Sequence, residues 1–552
     1  MKQPLAAVLA LFFGLFIFNS VYAWCPSASS AARLVRGLPG YEDNPAFAPI
    51  KSELSGSSRG QWETWWDANK DRYLDYKKPF PNELLKVNEE GSNVVGAELG
   101  VLKGLFQQAL KDSDFNIRLA AAIAIGRTGD TAYAPDLRPN LTDPEREVSD
   151  SAMLGLGMIK DVDSIPKMAE VLQNPKGHEV TRGFAAYALG YARDVRAIEA
   201  LKKSLDTKAE DSKTLWACVI SLALARDRSL VPYIGEFLMP KKGSKDDSTL
   251  KAYAALALGR LGGEEAVDLL IKASEKEKDM EILRSIAIAL GMAGEARAKD
   301  TLVNMIKKGK DELQKGFAVI SLAKLKINDD YDFILECSND KKSDNFRGFS
   351  VLALGIFGDV RAVPDLKKIL SDKRASEPVK DAAVTALGML KAKDSIKDLL
   401  DIAKSAKEIE TKRCYALIAL GMIGDEVVAP EINAIFNDSS KTPNIYRDCC
   451  YALAMLGRHK ALLEKMYKDY DAGNADIKSL IVTVLGRVGD RGTVTFLKNK
   501  YEKENNKSTR LSMMSSLGYL ADPNNVTILR ELTADNNYNI QFLSIDHVRQ
   551  IP

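Results

Sequence analysis

The sequence predicts an all-α protein, an α-solenoid of about thirteen stacked helix pairs, and three observations support this prediction. A short pattern, Ala-x-Leu-Gly with an acid five residues after the Leu, recurs through most of the 552 residues. Each copy joins an amphipathic stretch, as at 195–205, to a stretch that is apolar on all sides, as at 250–258. A helix that is apolar all round must be buried between neighbours, so single units are expected to stack.

The repeat is read from an anchor, the residue before the glycine of each copy, which is replaced by Ala223 and Ala323 in two copies. Successive anchors lie 29 to 36 residues apart. A period this regular over some four hundred residues indicates a repeat array. The thirteen anchors are Ile125, Leu156, Leu189, Leu222, Leu258, Leu290, Leu322, Leu354, Leu387, Leu420, Leu456, Leu485 and Leu517.

The positions around an anchor have predicted roles, which the copy at Leu189 illustrates. Gly190 is expected to end the second helix in the left-handed conformation. Asp194 is expected to cap the first helix of the next unit. Ala185 leaves room for a neighbouring helix, and Arg182 belongs to a basic position seven residues before the anchor.

The repeat resembles a known family in the stretch from Asp114 to Gly126, which reads Asp-Phe-Asn-Ile-Arg-Leu-Ala-Ala-Ala-Ile-Ala-Ile-Gly. It resembles the HEAT repeat in its short bacterial form, related to phycobilisome-lyase-type repeats, and this implies an armadillo-like superhelix. The resemblance also implies a ladder of bonds between successive repeats, and copies with Ser149, Leu215, Leu283 or Cys449 at the basic position depart from it. The residues implied in the ladder are Asp114, Arg118, Arg182, Arg347, Arg413 and Arg510.

The N-terminus has the features of an export signal. Lys2 precedes an apolar run, Leu5 to Phe18, that is short for a membrane span, and small residues end at Ala23. We predict a signal peptide over 1–23, cleaved after Ala23, and a periplasmic or secreted protein. An uncleaved membrane anchor is the alternative.

The segment 24–95 is predicted to be irregular apart from a Trp-rich cap. Trp62, Trp65 and Trp66 share helical spacing and form one aromatic face. One interpretation is a cap that covers the exposed apolar end of the first repeat. The other is an aromatic binding patch for a partner or a glycan, because Trp is enriched at interfaces. The repeat array is assigned to 96–535 and a C-terminal cap or tail to 536–552.

Two intervals between anchors are longer than the rest and contain inserted loops. One loop carries Lys241 and Lys242, and the other spans 439–444. Loops added to a solenoid either line its binding face or are tolerated surface length. Lys241 and Lys242 are therefore candidate binding residues.

The residues that usually perform catalysis are scarce. The formal net charge is +2, which gives no electrostatic reason to expect a nucleic-acid partner. His178, His459 and His547 lie in separate units, and an iron hydroxylase built from HEAT repeats needs four His-Glu pairs where this chain has one. Asp67, Asn69 and Asp71 imitate the start of a calcium loop, but the later positions do not match. We predict no metal, no cofactor and no catalysis.

These observations favour an exported scaffold that binds a protein or peptide along a concave helical face. Two alternatives remain: an envelope structural protein that binds a glycan or polymer through the Trp segment, and a lyase-type enzyme subunit. With helices packed 8–10 Å apart, thirteen units would form a curved rod on the order of 100–130 Å long.

Overall fold

The computed structural model describes residues 62–77, 94–207, 211–241, 247–439 and 442–524, together with Leu529 and Asp535; of residues 94–101 it describes the backbone alone. This part of the chain forms 27 α-helices and contains no strand, which confirms the predicted all-α solenoid. The predicted signal peptide, the tail from 536 and Lys242 lie outside the described residues.

The helices are numbered in chain order. Helix α1, Trp62–Asn69, precedes the array, and each of thirteen units pairs an even-numbered with an odd-numbered helix. The even-numbered helices are α2 Val94–Ala109, α4 Ala134–Leu137, α6 Ile165–Gln173, α8 Val195–Asp206, α10 Val231–Leu238, α12 Glu264–Lys276, α14 Lys299–Lys308, α16 Tyr331–Ser338, α18 Val363–Ser371, α20 Ile396–Lys404, α22 Ala429–Asp438, α24 His459–Ala472 and α26 Arg491–Tyr501. The odd-numbered helices are α3 Phe115–Thr128, α5 Arg146–Met158, α7 Glu179–Ala192, α9 Ser212–Leu224, α11 Ser248–Leu261, α13 Met280–Ala293, α15 Glu312–Leu325, α17 Asp344–Phe357, α19 Glu377–Met389, α21 Glu410–Ile423, α23 Pro443–Met455, α25 Ala475–Val488 and α27 Lys507–Ala521.

The odd helices form the inner layer of the array. Each packs closely on the next odd helix, whereas the even helices contact their own unit more than each other. Helices on the inside of a curve lie closer together than those on the outside, so the odd helices line the concave wall. All thirteen anchors, from Ile125 to Leu517, are fully buried.

The glycine after most anchors has a different role from the predicted one; Gly457, with φ of 74° just past the end of α23, is left-handed as predicted. Gly126, Gly259 and Gly388 lie inside their helices, not at a left-handed end. A Cβ on Gly259 would lie 2.5 Å from the Cα of Ala289 on the next odd helix, and a Cβ on Gly388 would lie 2.6 Å from the Cα of Ala419. The glycine therefore allows neighbouring inner helices to touch through their backbones.

The left-handed residue comes three positions later. Gly129 and Gly294 occupy it with φ values of 66° and 70°. The following acid then caps the next unit as predicted: the Asp130 side chain accepts a hydrogen bond from the Ala132 N–H. In five units a basic residue takes the left-handed position in place of glycine. These residues are Lys160, Arg193, Arg226, Lys326 and Lys391.

The array closes into a ring, so the predicted curved rod is wrong. Helix α27 packs on helix α3 as successive odd helices pack elsewhere. A Cβ on Gly518 would lie 2.7 Å from the Cα of Ala124, which repeats the contact seen between ordinary neighbours. Arg510 Nη2 also reaches Asp112 Oδ2 at 2.8 Å across 398 positions of sequence. Thirteen units thus complete one turn.

The ring has two distinct rims because all units run in the same direction. We call the rim formed by the turns after the odd helices the C-terminal rim, since the odd helices end there. It carries exposed valines at similar places in several units: Val195, Val360 and Val427 are 67%, 66% and 68% exposed. The even-to-odd turns form the opposite rim.

Candidate binding sites on the inner wall of the ring

Helix α1 lies inside the ring, against the inner wall. Trp62 Nε1 donates a hydrogen bond to the Pro378 carbonyl oxygen at 3.0 Å, and its ring centroid lies 5.6 Å from that of Tyr415. A Cβ on Gly348 would lie 2.4 Å from Trp62 Cδ1, so this glycine makes room for the indole. The segment 62–77 contacts residues of α15, α17, α19, α21, α23, α25 and α27, which a segment of this length can do only from the concave side.

The Trp segment therefore does not cover the first repeat. Helix α27 covers that end of the array. Trp62, Trp65 and Trp66 are only 1%, 2% and 1% exposed, so a partner or a glycan has no access to their rings in this structure. The aromatic face that the spacing predicts is present, but it packs against the chain itself.

The segment after α1 contacts the inner wall near the point where the ring closes. The Tyr76 and Tyr451 rings stack with centroids 4.7 Å apart. Lys77 Nζ donates to the carbonyl oxygens of Tyr519, Asp522 and Asn524 at 3.0, 2.7 and 3.0 Å. Burial lowers the pKa of Lys77 to about 8, although the nearby Asp522 acts in the opposite direction. Lys77 thus neutralises carbonyl groups at the end of the last inner helix.

Asp535 joins α1 to the wall from the C-terminal side of the array. Its carboxylate accepts hydrogen bonds from Arg72 and from Lys324, the latter at 2.6 Å, and its backbone N–H donates to Asn69 Oδ1 at 3.0 Å. Burial alone would raise the pKa of Asp535, but Lys324 and Arg72 outweigh it and hold the pKa at about 2. The carboxylate is therefore ionised and paired at neutral pH.

Two buried carboxyl groups lie at the contact between α1 and α19. Glu63 and Asp381 are each only 6% exposed, and within the described part of the chain Glu63 Oε2 and Asp381 Oδ1 have no hydrogen-bond partner. Burial raises the pKa of Glu63 to about 7, with a further contribution from Asp67. Burial also raises the pKa of Asp381 to about 7, against the effect of Lys412. Ionisation of either group above neutral pH would place a charge in the buried contact between α1 and α19.

A second feature of the inner wall is an arginine-rich pocket at the C-terminal rim. Its volume is about 360 Å³. Arg193 Nε donates to the Leu224 carbonyl at 3.2 Å, and Arg228 Nε donates to the Leu261 carbonyl at 3.1 Å, so each guanidinium spans two units. The pocket lies at the ends of α7, α9 and α11 and is lined by Tyr191, Arg193, Ala223, Leu224, Arg226, Arg228, Arg260 and Leu261.

Sequence reasoning did not find this pocket. A signal was present: the left-handed position after an odd helix, which is glycine in five units, is arginine in two consecutive copies, at Arg193 and Arg226. The basic position that was singled out instead, seven residues before the anchor, lies at the start of the odd helices and thus at the other rim.

The implied ladder is formed at some units and not at others. Arg118 pairs with Asp143 of the next unit through two bonds of 2.8 Å, and Arg182 Nη1 lies 2.8 Å from Asp211 Oδ2. Arg510 makes the equivalent bond to Asp112 across the closure. The ladder thus runs through the point where the ring joins.

Two other residues of the implied ladder bond within their own unit, and Asp114 bonds across the closure to a lysine. Arg347 Nε donates to the Ser338 carbonyl, and Arg413 Nε donates to the Ala403 carbonyl, so each ties the two helices of its own unit. Asp114 caps α3 and lies 3.4 Å from Lys507 Nζ. The contacts of Arg347 and Arg413 correct the prediction that all six residues bond between repeats, whereas Asp114 does join two repeats.

The remaining candidates are not gathered into a site. Lys241 is exposed on its loop. The imidazole of His178 caps α7, accepting from the Val180 N–H at 3.2 Å. Among the described residues, no three His, Cys, Asp or Glu side chains are grouped as a metal ion would require.

The described cysteines are free thiols, and all are buried: Cys218, Cys337, Cys414, Cys449 and Cys450. Burial raises the pKa of the Cys337 thiol to about 12. A thiol that stays protonated is a poor nucleophile, so this one contributes to packing.

In the part of the chain that the structure describes, none of the helices combines the length and apolar character that a membrane span requires.

The fold and its inner wall define a closed ring of helical repeats with a segment of its own chain bound inside. Sequence comparison assigns the repeats. HEAT repeats match residues 102–182, 236–323 and 331–413, and a PBS lyase HEAT-like repeat matches 181–207. The chain belongs to the HEAT-repeat family.

Among curated proteins, none matches the sequence significantly. Similar solved structures include human deoxyhypusine hydroxylase in complex with glycerol, 17% identical over 55% of this chain and 99% of that one, with a TM-score of 0.23. The CpcE–CpcF complex of phycocyanin lyase from Nostoc sp. PCC7120 is 21% identical over 46% of this chain and 93% of that one, with a TM-score of 0.29. Kap121p bound to Pho4p is 13% identical over 82% and 57% of the respective chains, with a TM-score of 0.34.

Proposed function

We propose that this protein is an exported, non-catalytic HEAT-repeat scaffold that binds a protein or peptide partner on the concave side of its ring. One observation carries the proposal: the inner wall already binds a polypeptide segment, residues 62–77 of its own chain. It does so with the groups that recognise peptides, namely an indole N–H to a backbone carbonyl, stacked aromatic rings and the buried Asp535, which pairs with Arg72 of the segment and Lys324 of the wall.

The proposed partner reaches the inner wall past the C-terminal rim. This rim carries exposed apolar side chains, including Val195 and Val360, next to a cationic pocket. Apolar residues bordered by charge are typical of protein-binding surfaces. The burial of Trp62, Trp65 and Trp66 gives no support to binding of a glycan through these residues.

Export is proposed from the sequence of residues 1–23. The mature protein would then begin at Trp24 and reside in the periplasm or outside the cell. N-terminal sequencing of the protein purified from its native host tests this: an intact N-terminus would contradict cleavage and favour a membrane anchor.

Binding is tested with a photo-crosslinking amino acid placed at Val195 or Val360 of the full chain, produced in its native host. Both positions are expected to yield one discrete protein adduct. The control position is Lys368, whose side chain is 77% exposed on the outer helix α18, and it should yield none. Adducts that are equally abundant at Lys368, or co-purification of a chromophore in place of a protein, would overturn the proposal.

A further inference from the structure

The surface that holds the Trp helix is a recess in the inner wall over α17, α19 and α21. In the preceding unit a Cβ on Gly316 would lie 2.5 Å from Cδ2 of Phe349, so the wall fills that space with its own side chain. At the equivalent position of α17, a Cβ on Gly348 would meet Cδ1 of Trp62 instead. The recess thus fits an indole that the repeats themselves do not supply.

The walls of this recess do not depend on the Trp helix. A Cβ on Gly355 of α17 would lie 2.8 Å from the Cα of Ala386, so α17 and α19 touch directly. A Cβ on Gly388 of α19 would lie 2.6 Å from the Cα of Ala419, so α19 and α21 touch in the same way. The Trp helix is therefore an occupant of this surface and not part of the wall.

One polar contact between the occupant and the recess is mismatched. Asp381 of α19 is 6% exposed, and within the described part of the chain its Oδ1 atom has no hydrogen-bond partner. The Trp helix places Glu63 at this contact, and its Oε2 atom also lacks a partner there. Ionised carboxylates only accept hydrogen bonds, so neither group can satisfy the other. A buried polar atom left unsatisfied weakens the contact that buries it.

The nearby cation of the wall does not correct the mismatch. Lys412 of α21 is buried, and its Nζ atom lies 2.8 Å from Glu377 Oε2 and 3.1 Å from Glu408 Oε2. Lys412 is thus engaged by two other carboxylates and forms no ion pair with Asp381 among the described residues. The Asp381 oxygen therefore remains available to a donor on the occupant of the recess.

The donor that suits this position follows from what Glu63 already does. Its carboxyl group accepts a hydrogen bond from its own backbone N–H at the start of α1. A side-chain amide keeps an acceptor oxygen and adds an N–H donor. An amide at this position would therefore satisfy its own helix and Asp381 together, which an ionised Glu cannot do.

We propose that the recess binds a helix of the protein partner in exchange for the Trp helix, and that this helix has a similar aromatic face with an amide side chain at the place of Glu63. The inference rests on the proposed function and specifies the chemistry of the partner. The exchange concerns α1, because Tyr76 and Lys77 hold the following residues on other helices. The tethered Trp helix competes at a high effective concentration, so only a better-matched helix displaces it.

The first test measures the match in the purified full chain, by hydrogen exchange of the α1 amides at pH 8. Glu63→Gln should slow exchange about tenfold or more, since a donor then meets a buried acceptor. Asp381→Asn should also slow it, because it supplies the donor from the wall. Asp75→Asn removes one negative charge at an exposed position of the same segment, so it is the matched control and should change nothing. Exchange as fast in Glu63→Gln as in the parent would overturn the proposal.

The second test measures the yield of partner adduct from the photo-crosslinking amino acid at Val360, just after α17, in the native host. Glu63→Gln should lower the yield because the better-matched Trp helix competes more strongly, and Trp62→Ala should raise it. Asp75→Asn should leave it at the parent level. An equal yield in all variants, or an adduct with a second copy of this chain, would overturn this inference alone. The absence of any adduct in the parent and in Trp62→Ala would overturn the proposed function as well.

Discussion

The inner wall of the ring presents two contrasting regions built from the same repeat. The odd helices from α15 to α27 hold the Trp helix through buried rings and ion pairs, whereas α7, α9 and α11 border an open pocket lined with arginines. The packing positions are alike in both regions: Gly190 and Gly486, each just after an anchor, both touch the next inner helix. The difference lies in side chains that do not pack between helices.

One position shows this clearly, the residue two after the anchor. It is Lys324 or Arg487 where the wall contacts the Trp helix, and Tyr191 or Arg260 where it lines the pocket. Helix stacking constrains the anchor and the glycine, but it leaves this position free to vary. The packing between inner helices is thus uniform around the ring, whereas the side chains that face the interior differ from place to place. Four predictions separate the effects of the helix packing from those of the interior side chains.

The largest expected effect is at the closure of the ring. In Gly518→Val the new Cβ would meet the Cα of Ala124 at 2.7 Å, and backbone cannot shift as a side-chain end can. We expect the seam between α27 and α3 to open and the radius of gyration measured by small-angle X-ray scattering to increase. Gly104→Val, where an added Cβ meets nothing within 4 Å, is the control. The Trp helix should be released when the seam opens, and a Trp helix that stays bound to the opened ring would contradict this prediction.

The second prediction concerns the Trp helix alone. Trp62→Ala removes a fully buried indole, which typically costs about 3–5 kcal/mol. We expect the segment 62–77 to become cleavable by protease while the ring stays closed, as judged by an unchanged radius of gyration of the intact protein. Trp62→Phe keeps the ring stacking and loses the bond to Pro378, so it should have the smaller effect. A protected segment in Trp62→Ala would show that other contacts hold it.

The third prediction is a pH dependence of the same region. The pKa of Glu63 is about 7 in the folded protein and 4.5 for an ordinary Glu, so the folded state retains the proton longer. The free energy of unfolding is then greatest below pH 4.5. It falls by about 3 kcal/mol for this group as the pH rises to about 7, and it is constant at higher pH. Tryptophan emission should shift to longer wavelength over that range.

Glu63→Gln should flatten this profile because the amide does not ionise. Glu464→Gln, at an exposed position of α24, is the matched control and should leave the profile unchanged. A steep profile that survives in Glu63→Gln would assign the transition to Asp381 or to another group.

The smallest expected effect is at the pocket. Arg226→Gly and Lys391→Gly should each raise the free energy of unfolding by at most about 1 kcal/mol, because each relieves a left-handed L-residue. Chemical denaturation measures the change. If Arg226→Gly is less stable than the parent while Lys391→Gly is more stable, the contacts of the Arg226 side chain stabilise the fold by more than its left-handed backbone destabilises it.

Much of the fold was predictable from the chain alone. The anchors, the small residues four positions before them and caps such as Asp130 and Asp194 follow from local sequence, because helix periodicity and capping involve residues close along the chain. The role of the glycine after the anchor was not predictable from the same pattern. A glycine inside a helix permits close packing, and a glycine at the end of a helix permits a turn. The two roles are distinguished only by whether a neighbouring helix packs against the glycine.

The candidate sites were less predictable. The spacing of Trp62, Trp65 and Trp66 indicates an aromatic face, but the surface that this face covers lies more than 250 residues away in sequence, on α17 and α19. The pocket is assembled from three units, so no single copy of the repeat contains it.

The sequence by itself determined the helix pair, its period and the need of each unit for neighbours, since these depend on local patterns of apolar and small side chains. Only the tertiary structure decided that thirteen units close on themselves, with Arg510 meeting Asp112 and the Trp helix held inside. Each unit is rotated slightly relative to the unit before it, and the ring closes only if these rotations add up to one full turn. The sequence of an individual repeat does not determine that total.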